Sequence, residues 1–280
     1  MTSTVALIDA DIVARKVAHA SEQEVNTAFL LGSKLGTFKG KAFHTYLSTR
    51  EDVVIESEWK VDPEKNCVYP LKQKMQKILD DTGADEYEGY LSPSTCFRND
   101  IYPDYKISRK DKRRPENLDF CKKYLQDEWG VYYPKARIEA DDALGIRNTQ
   151  LKKLGYTPII SSIDKDLRML PGTHHNPDNE TIEEVSEEEG NRRFFAQWLT
   201  GDSTDDIPGL YRVGEVKAYK ILSECTNEKE MEAKVFETYI EALGKKGKKE
   251  KEAIEHAKMI ADLIWIMREP DTPYSKHSWS

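Results

Sequence analysis

The sequence predicts an α/β fold with a mostly parallel central sheet flanked by helices, followed by an all-helical C-terminal part. Three observations predict it. Two short apolar runs rich in β-formers, TVALID from Thr4 and TPIISSI from Thr157, read as strands buried on both faces, as parallel strands are. Helical spacing alternates with these and with a third strand-like run, EYEGYLS from Glu86, which is the pattern of a doubly wound sheet. From about Ser186 the texture changes to helical spacing alone, so the chain is expected to divide into an α/β core over 1–185 and a helical domain over 186–280.

Taken in order, TVALID ends on Asp9 and a helix follows through Ala20. Ser21 to Asn66 is irregular, punctuated by Gly32, Gly36 and Gly40, with HTYLSTREDVVIESEW suggesting one or two strands. Leu71, Met75, Ile78 and Leu79 give Tyr69 to Asp81 a helical face, and Gly83 stops it. The charged region from Arg98 to Asp127 reads as mostly helical, VYYP from Val131 as a short strand, and Asp141 to Leu154 as a helix stopped by Gly155. Beyond Ser186 come NRRFFAQWLTG, VKAYKILSE and two longer amphipathic stretches after Asn227, with no internal repeat.

The 280 residues suffice for a substantial core, and 38% hydrophobic against 33% charged residues describes a folded, soluble chain. IADLIWIM, the longest nearly pure apolar run, is far short of the roughly 20 residues a membrane span needs, and Asp9 and Asp11 interrupt the start too early for a signal peptide. A cytosolic protein is expected. Cys67, Cys96, Cys121 and Cys225 are widely spaced, which excludes a zinc knuckle and a disulfide scaffold. The net charge of -8 hides local asymmetry, because YKISRKDKRRP carries Lys106, Arg109, Lys110, Lys112, Arg113 and Arg114 against Asp111, and KKGKKEK from Lys245 is a second basic knot.

Acids gather in four places: Asp9 and Asp11; Glu139, Asp141 and Asp142; Asp164 and Asp166; Asp202, Asp205 and Asp206. Two of these follow strands, where ligand sites of open α/β sheets lie. Singly, each has an ordinary explanation, since acids complement the first turn of a helix and Asp favours turns. Collected in one cleft they repel unless cations neutralise them. Oxygen-only ligation selects Mg²⁺ or Mn²⁺ over zinc, and two such ions about 4 Å apart are an apparatus for splitting a phosphodiester.

In this combination the residues resemble the structure-specific 5′-nucleases, that is, bacteriophage 5′-to-3′ exonucleases, flap endonucleases and the nuclease domain of bacterial DNA polymerase I. The resemblance covers the first strand and the chain from about Glu86 to Leu222, through Asp9 and Asp11, FRNDIYPDYKISR, EADD, SIDKD and GDSTDDIPG. It implies a 5′-nuclease (PIN-like) core with a helical arch near 98–127 and a C-terminal helix-hairpin-helix domain. It implies metal ligation by Asp9, Glu139, Asp141, Asp142, Asp164, Asp166, Asp202 and Asp205, with Tyr105, Lys106 and Arg109 as catalytic groups, the tyrosine stacking on a terminal base. DNA contacts fall to Arg98, Lys110, Arg113, Gly209, Gly214 and Lys217. The implied cofactors are two Mg²⁺ or Mn²⁺ ions and a K⁺ at the hairpin. The implied partner is DNA with a 5′ end or flap, RNA/DNA hybrid included, met by a monomer in the cytoplasm, the host's if the chain is phage-encoded.

Two departures stand out. Pro93 or Ser94 occupies the place of an acid the family carries at the end of its second strand, leaving that contact missing, supplied by water or taken by Asp100. Arg212 stands in PGLYRVG where a third glycine is common. Two rivals remain. VALIDADIV and GDSTDD also resemble haloacid-dehalogenase-type phosphatases, with Asp9 as nucleophile, but that reading leaves EADD and the Phe-Arg to Tyr-Lys stretch unused. The other is a DNA-binding relative with a decayed metal site, against which stand the retained Asp166, Asp202 and Asp205.

Overall fold

The structure is a computed structural model, and it describes residues 3–39, 52–134 and 137–277. The chain forms two compact units: one of Met1–Asp11, Lys77–Lys112 and Val131–Ser280, the other of Ile12–Gln76 and Arg113–Gly130. No boundary between them falls at 185/186, so the sheet and the helices beyond Ser186 share the first unit.

The first unit is built on a five-stranded sheet: β1 (Thr4–Asp9), β5 (Glu86–Tyr90), β6 (Thr157–Ser161), β7 (Gly172–Asn176) and β8 (Thr181–Val185), in the order β5-β1-β6-β7-β8. All neighbours are parallel except β7 and β8, and Leu7 stands between Glu88 and Ile160 in register. Central β1 is buried along nearly its whole length, as its uninterrupted apolar run requires. Strands β7 and β8 carry little apolar signal. His174 and His175 are nonetheless buried because their rings find partners, Nε2 of His174 lying 2.8 Å from the Leu170 carbonyl and Nδ1 of His175 3.0 Å from Ser161 Oγ. The strand expected in VYYP reduces to one bridge, Tyr90 to Tyr132.

Helix α5 (Ala140–Lys153) packs Ala140, Ala143, Leu144 and Leu151 with Leu7, Tyr90 and Ile160, and its end is marked by Gly155 at φ +85°. After β8, Ser186 caps α6 (Glu187–Thr200) by accepting from Glu189 N at 3.1 Å. Then come a two-residue antiparallel pair, β9 (Gly201–Asp202) with β10 (Ile207–Pro208), and helices α7 (Glu215–Ile221), α8 (Glu228–Gly244) and α9 (Glu250–Ile264). Their core is aromatic: Phe194, Phe195, Trp198, Tyr239, Trp265 and Tyr274 are all buried, each contributing about 2–3 kcal/mol. Two of the polar ends are tied to backbone, Trp198 Nε1 donating to Ala257 O at 2.7 Å and Tyr239 Oη to Trp198 O at 2.7 Å.

The second unit holds a three-stranded antiparallel sheet in the order β3-β2-β4, from β2 (Glu22–Leu30), β3 (Ser33–Lys39) and β4 (Val53–Val61), where one or two strands were expected. Leu31 and Gly32 join β2 to β3 with φ of +47° and +80°, the two left-handed residues of a tight hairpin turn. The first part of HTYLSTREDVVIESEW, up to residue 51, lies outside the described residues. Asn117 ties residues 113–130 to the sheet, donating to Ser21 Oγ at 3.0 Å and to Asp62 O at 2.9 Å.

Helices α1 (Ala10–Ala20) and α2 (Lys65–Thr82) pass from one unit to the other. The region from Arg98 to Asp127 is less helical than its composition suggests: α3 (Arg98–Ile101), a 3₁₀ turn at Ile107–Arg109 and α4 (Leu118–Trp129) are separated by non-helical chain. Pro103 and Pro115 account for the breaks, since each removes an amide donor and restrains the residue before it.

Candidate active site

The C-terminal ends of β1 and β6 deliver the first acids. Asp9 closes β1, and its Oδ2 accepts from Ser162 Oγ at 2.9 Å just past β6. Ser162 Oγ also accepts from Asp164 N at 2.9 Å, and Asp164 Oδ1 accepts from Asp166 N at 2.9 Å, so one serine and one turn hold three acids in a row. The first turn of α5 adds Glu139 and Asp141, and β9 with the turn behind it adds Asp202 and Asp205. Asp202 Oδ1 accepts from Thr204 N at 2.7 Å.

Mutual repulsion shows that these groups share one region. Burial first, then Asp9, Asp164 and Glu139, push the Asp141 carboxyl well above the usual range. Burial, Asp164 and Asp202 push Asp166 up to about 7. Asp205 is raised by burial despite Lys106 and Arg109, with Asp202 and Glu139 adding to the rise. The acids thus form a closed circuit of neighbours, and side chains far apart in sequence meet at the carboxyl edge of the sheet.

Opposite them stands a cationic wall. Lys106 Nζ pairs with Glu139 Oε1 and lies 3.3 Å from Asp205 Oδ2, while Arg109 pairs with Asp205 Oδ1. Burial opposes ionisation of Glu139, yet Lys106 and Arg98 prevail and hold it down at about 2. Lys106 is itself in the left-handed region at φ +56°, and its amide donates to Asp205 O at 2.9 Å, which fixes the turn that aims its side chain.

Several expected roles are corrected. Asp142 is fully buried and its oxygens are taken by donors: they accept from Arg98 Nη1 at 2.6 Å, Arg98 Nη2 at 2.8 Å, Met267 N at 3.1 Å and Glu139 N at 3.2 Å. It has no face left for a metal. Arg98, expected on DNA, is 3% exposed and also donates to Leu263 O at 2.8 Å and Trp265 O at 2.7 Å. Tyr105 cannot stack on a base, because its ring is buried and its hydroxyl donates to Glu139 Oε2 at 2.6 Å. Asp100 does not replace the absent strand-two acid, being exposed and paired with Arg137 at 2.7 Å.

Just before that place, Ser92 donates from its amide to Asp11 Oδ2 at 2.6 Å and accepts from Ala140 N at 3.0 Å. Ser92 positions the site without a sequence signal, since a lone serine in a turn carries none, whereas Ser162 opens the SIDKD stretch. For the Arg98–Asp142 pair a signal existed: acids at 139 and 142 have capping-box spacing.

The residues expected on DNA lie outside this cluster. Lys110 is exposed. Arg113, in the second unit, pairs with Glu22 and stacks over Trp59 at 3.9 Å. Gly209 is demanded by close approach, since a Cβ there would lie 1.9 Å from Thr200 O. Gly214 precedes α7 with open space around it, and Lys217 Nζ lies 3.5 Å from Arg212 O. Arg212 adopts φ +59°, so the turn before α7 keeps a glycine-like backbone without the glycine.

Among the described residues, no three acidic, His or Cys side chains are already drawn together to hold an ion. The donor chemistry still fits hard cations: the cluster is all oxygen, and burial with mutual repulsion leaves Asp141 and Asp166 raised unless positive charge joins them.

No protein-family model matches the chain. It is 30% identical over 220 residues to DNA polymerase I of Bacillus subtilis, which takes in 72% of this chain and 24% of that protein. The chain therefore spans about a quarter of the length of that relative. It is 28% identical over 194 residues to flap endonuclease Xni of Shewanella pealeana, covering 64% of this chain and 72% of Xni. In structure it resembles the phage T5 D15 protein crystallised with metal ions, with a TM-score of 0.52 at 14% identity over 93% of this chain and 99% of that one. The catalytic core of Rad2 in complex with a DNA substrate gives a TM-score of 0.50 at 14% identity over 99% and 82%. By sequence the chain is a relative of DNA polymerase I and flap endonuclease Xni, and it shares the 5′-nuclease fold of the T5 D15 protein and the Rad2 core.

Proposed function

We propose that the chain is a divalent-metal-dependent 5′-to-3′ exonuclease and flap endonuclease, hydrolysing phosphodiester bonds near 5′ ends of duplex or flapped DNA by a two-metal-ion mechanism. One observation carries the reading: Asp9, Asp141, Asp164, Asp166 and Asp202 lie within electrostatic reach of one another at the carboxyl edge of the sheet, with Lys106 and Arg109 paired to the neighbouring Glu139 and Asp205. The relatives support it, since one is named a flap endonuclease and a T5 D15 flap endonuclease variant was crystallised with DNA and metal ions.

Asp9, Asp141, Asp164, Asp166 and Asp202 would hold Mg²⁺ or Mn²⁺, with Glu139 and Asp205 joining as Lys106 and Arg109 turn to the substrate. Bound there, such ions supply an activated water and charge stabilisation of the leaving oxygen. The chain's own part is positioning and electrostatics. Lys106 and Arg109 offer positive charge to the scissile phosphate from one side, Ser162 keeps Asp9 and Asp164 in register, and Ser92 fixes Asp11 and the start of α5. The hairpin around Gly209 and Gly214, with Lys217, is read as the duplex contact, with backbone amides toward phosphate and carbonyls toward a K⁺. RNA/DNA hybrid as an alternative substrate, a monomeric state and a cytoplasmic location belong to the same reading. Among the described residues, no helix is long and apolar enough to cross a membrane.

Incubation of 5′-labelled flap, nicked, blunt and RNA-primed duplexes with Mg²⁺ or with EDTA tests it. Metal-dependent release of 5′-phosphorylated products is expected. Binding without cleavage would identify a decayed relative, the reading favoured by the missing acid at Pro93. Phosphate release from a small generic ester alone would identify a phosphatase.

A further inference from the structure

Lined by none of the clustered acids, a cavity of about 420 Å³ opens between the end of α5, Leu170 and Pro171, and the segment from Trp265 to His277. We propose that it binds a phosphate monoester or inorganic phosphate. The inference does not depend on the nuclease reading.

Three cations line the cavity, Lys152, Lys153 and Arg268, against two acids, Glu187 and Glu269. Lys153 is taken by Glu269 at 2.8 Å. Lys152 and Arg268 make no ion pair among the described residues, and their hydrogen bonds go to neutral oxygens. Lys152 Nζ donates to Pro171 O at 2.6 Å, and Arg268 Nη2 donates to Met169 O at 2.9 Å and Asn191 Oδ1 at 2.7 Å. Glu184 and then Glu187 act on Lys152, and Glu187 on Arg268, without an ion pair, and Glu228 reaches Arg268 through Asn191, whose Nδ2 donates to Glu228 Oε1 at 3.0 Å. A guanidinium so placed keeps its charge without a carboxylate, which is the state that a phosphate oxygen relieves.

The rest of the wall is built rather than accidental. Arg268 is stacked on Trp265 at 4.7 Å, which fixes the guanidinium plane, and its Nε is a buried donor with no acceptor among the described residues. Across the same cavity, Asn148 is 3% exposed. Its Nδ2 donates to Pro171 O at 3.2 Å while its Oδ1 is a buried acceptor with no donor among the described residues. An orphan donor and an orphan acceptor in one cavity suit a ligand that presents both, as a phosphate ester with hydroxyl groups does. Gly172 is at φ +129°, and a Cβ there would fall 2.4 Å from Lys152 Nζ, so glycine keeps room for the amine. The volume lies within the range of small-molecule sites, roughly 300–1,000 Å³, and admits a mononucleotide as well as the free anion.

The test is calorimetric titration of the full chain in EDTA with inorganic phosphate, thymidine 5′-monophosphate and thymidine. Without metal the acid cluster repels anions, so binding there is suppressed. Saturable binding of the two phosphates but not of thymidine is expected, weakened at least tenfold by Lys152→Ala and by Arg268→Lys and retained by Asp166→Asn. Tighter binding of the monophosphate than of phosphate identifies a nucleotide site, and equal affinity identifies a site for the anion alone. Absence of binding by the wild type overturns the proposal. So does binding that survives both Lys152→Ala and Arg268→Lys, or that is lost in Asp166→Asn. Lys152 is exposed on α5, so its replacement separates loss of binding from loss of fold.

Discussion

Replacing Asp142 by Asn should unfold the protein before it disturbs catalysis. The carboxylate is fully buried and accepts four hydrogen bonds, two of them from Arg98, which also donates to Glu139 Oε2 at 3.3 Å, Leu263 O and Trp265 O. The pair therefore joins α3 and α5 to the chain following α9. Asn keeps the shape and removes the charge, leaving a buried guanidinium with only the longer contact to Glu139, already shared with Lys106, as counter-ion. Breaking a buried pair in this way costs about 3–5 kcal/mol. At roughly 2–4 °C per kcal/mol for a chain of this size, the melting temperature should fall by on the order of 10 °C. The assay is a thermal melt of wild type, Asp142→Asn and the apolar double variant Arg98→Met with Asp142→Leu, alongside cleavage of a 5′-flap at a temperature where all are folded. The single variant should melt lowest, the double variant should recover part of the loss, and the folded single variant should still cleave. An Asp142→Asn protein that melts like the wild type but has lost cleavage would refute the reasoning and restore Asp142 as a metal ligand.

Asp166→Asn should do the opposite, ending cleavage while stabilising the metal-free protein at pH 8. The folded pKa is raised from 3.8 to about 7, so the folded carboxyl holds its proton more tightly than the unfolded one. The destabilisation it causes is therefore absent below about pH 4, grows as pH rises toward 7 and is complete above it, an effect of about 1–4 kcal/mol. Melts in EDTA from pH 5 to 8.5 should show the variant's advantage widening with pH, and a constant difference would contradict this. Lys106→Ala should lower turnover on the order of a hundredfold with a smaller effect on binding, read from single-turnover rates against DNA affinity. Lys245→Ala should change only the salt dependence of affinity. Gly209→Ala should cost at least about 2 kcal/mol, because its new methyl meets the Thr200 carbonyl at 1.9 Å and backbone must move. An unchanged melting temperature would speak against that.

The parts of the fold legible in the sequence are those where one signal is strong locally. Strands β1 and β6 are unbroken apolar runs, helices α5 to α9 carry helical periodicity or end signals, and the acids at strand ends sit where α/β sheets place ligands. Strands β7 and β8 were not legible because His174, His175, Glu183 and Glu184 break the apolar pattern, and their place is set by tertiary partners. The small sheet of the second unit was underestimated for a similar reason: β4, with Glu56, Glu58 and Lys60, is exposed along most of its length. In EADD, composition showed three acids in one short stretch but not their division of labour. Only the bidentate grip of Arg98, forty-four positions earlier, shows that Asp142 serves the fold.

The claim on which the account rests is that the gathered carboxylates form a cation site. Melting temperatures in EDTA and in saturating Mg²⁺, for wild type and Asp141→Asn, test it most directly. Binding at about a hundred times the dissociation constant stabilises by about 2.7 kcal/mol, so Mg²⁺ should raise the wild-type melting temperature by several degrees and leave Asp141→Asn nearly unmoved. A wild type indifferent to Mg²⁺, or two proteins that respond equally, would contradict it.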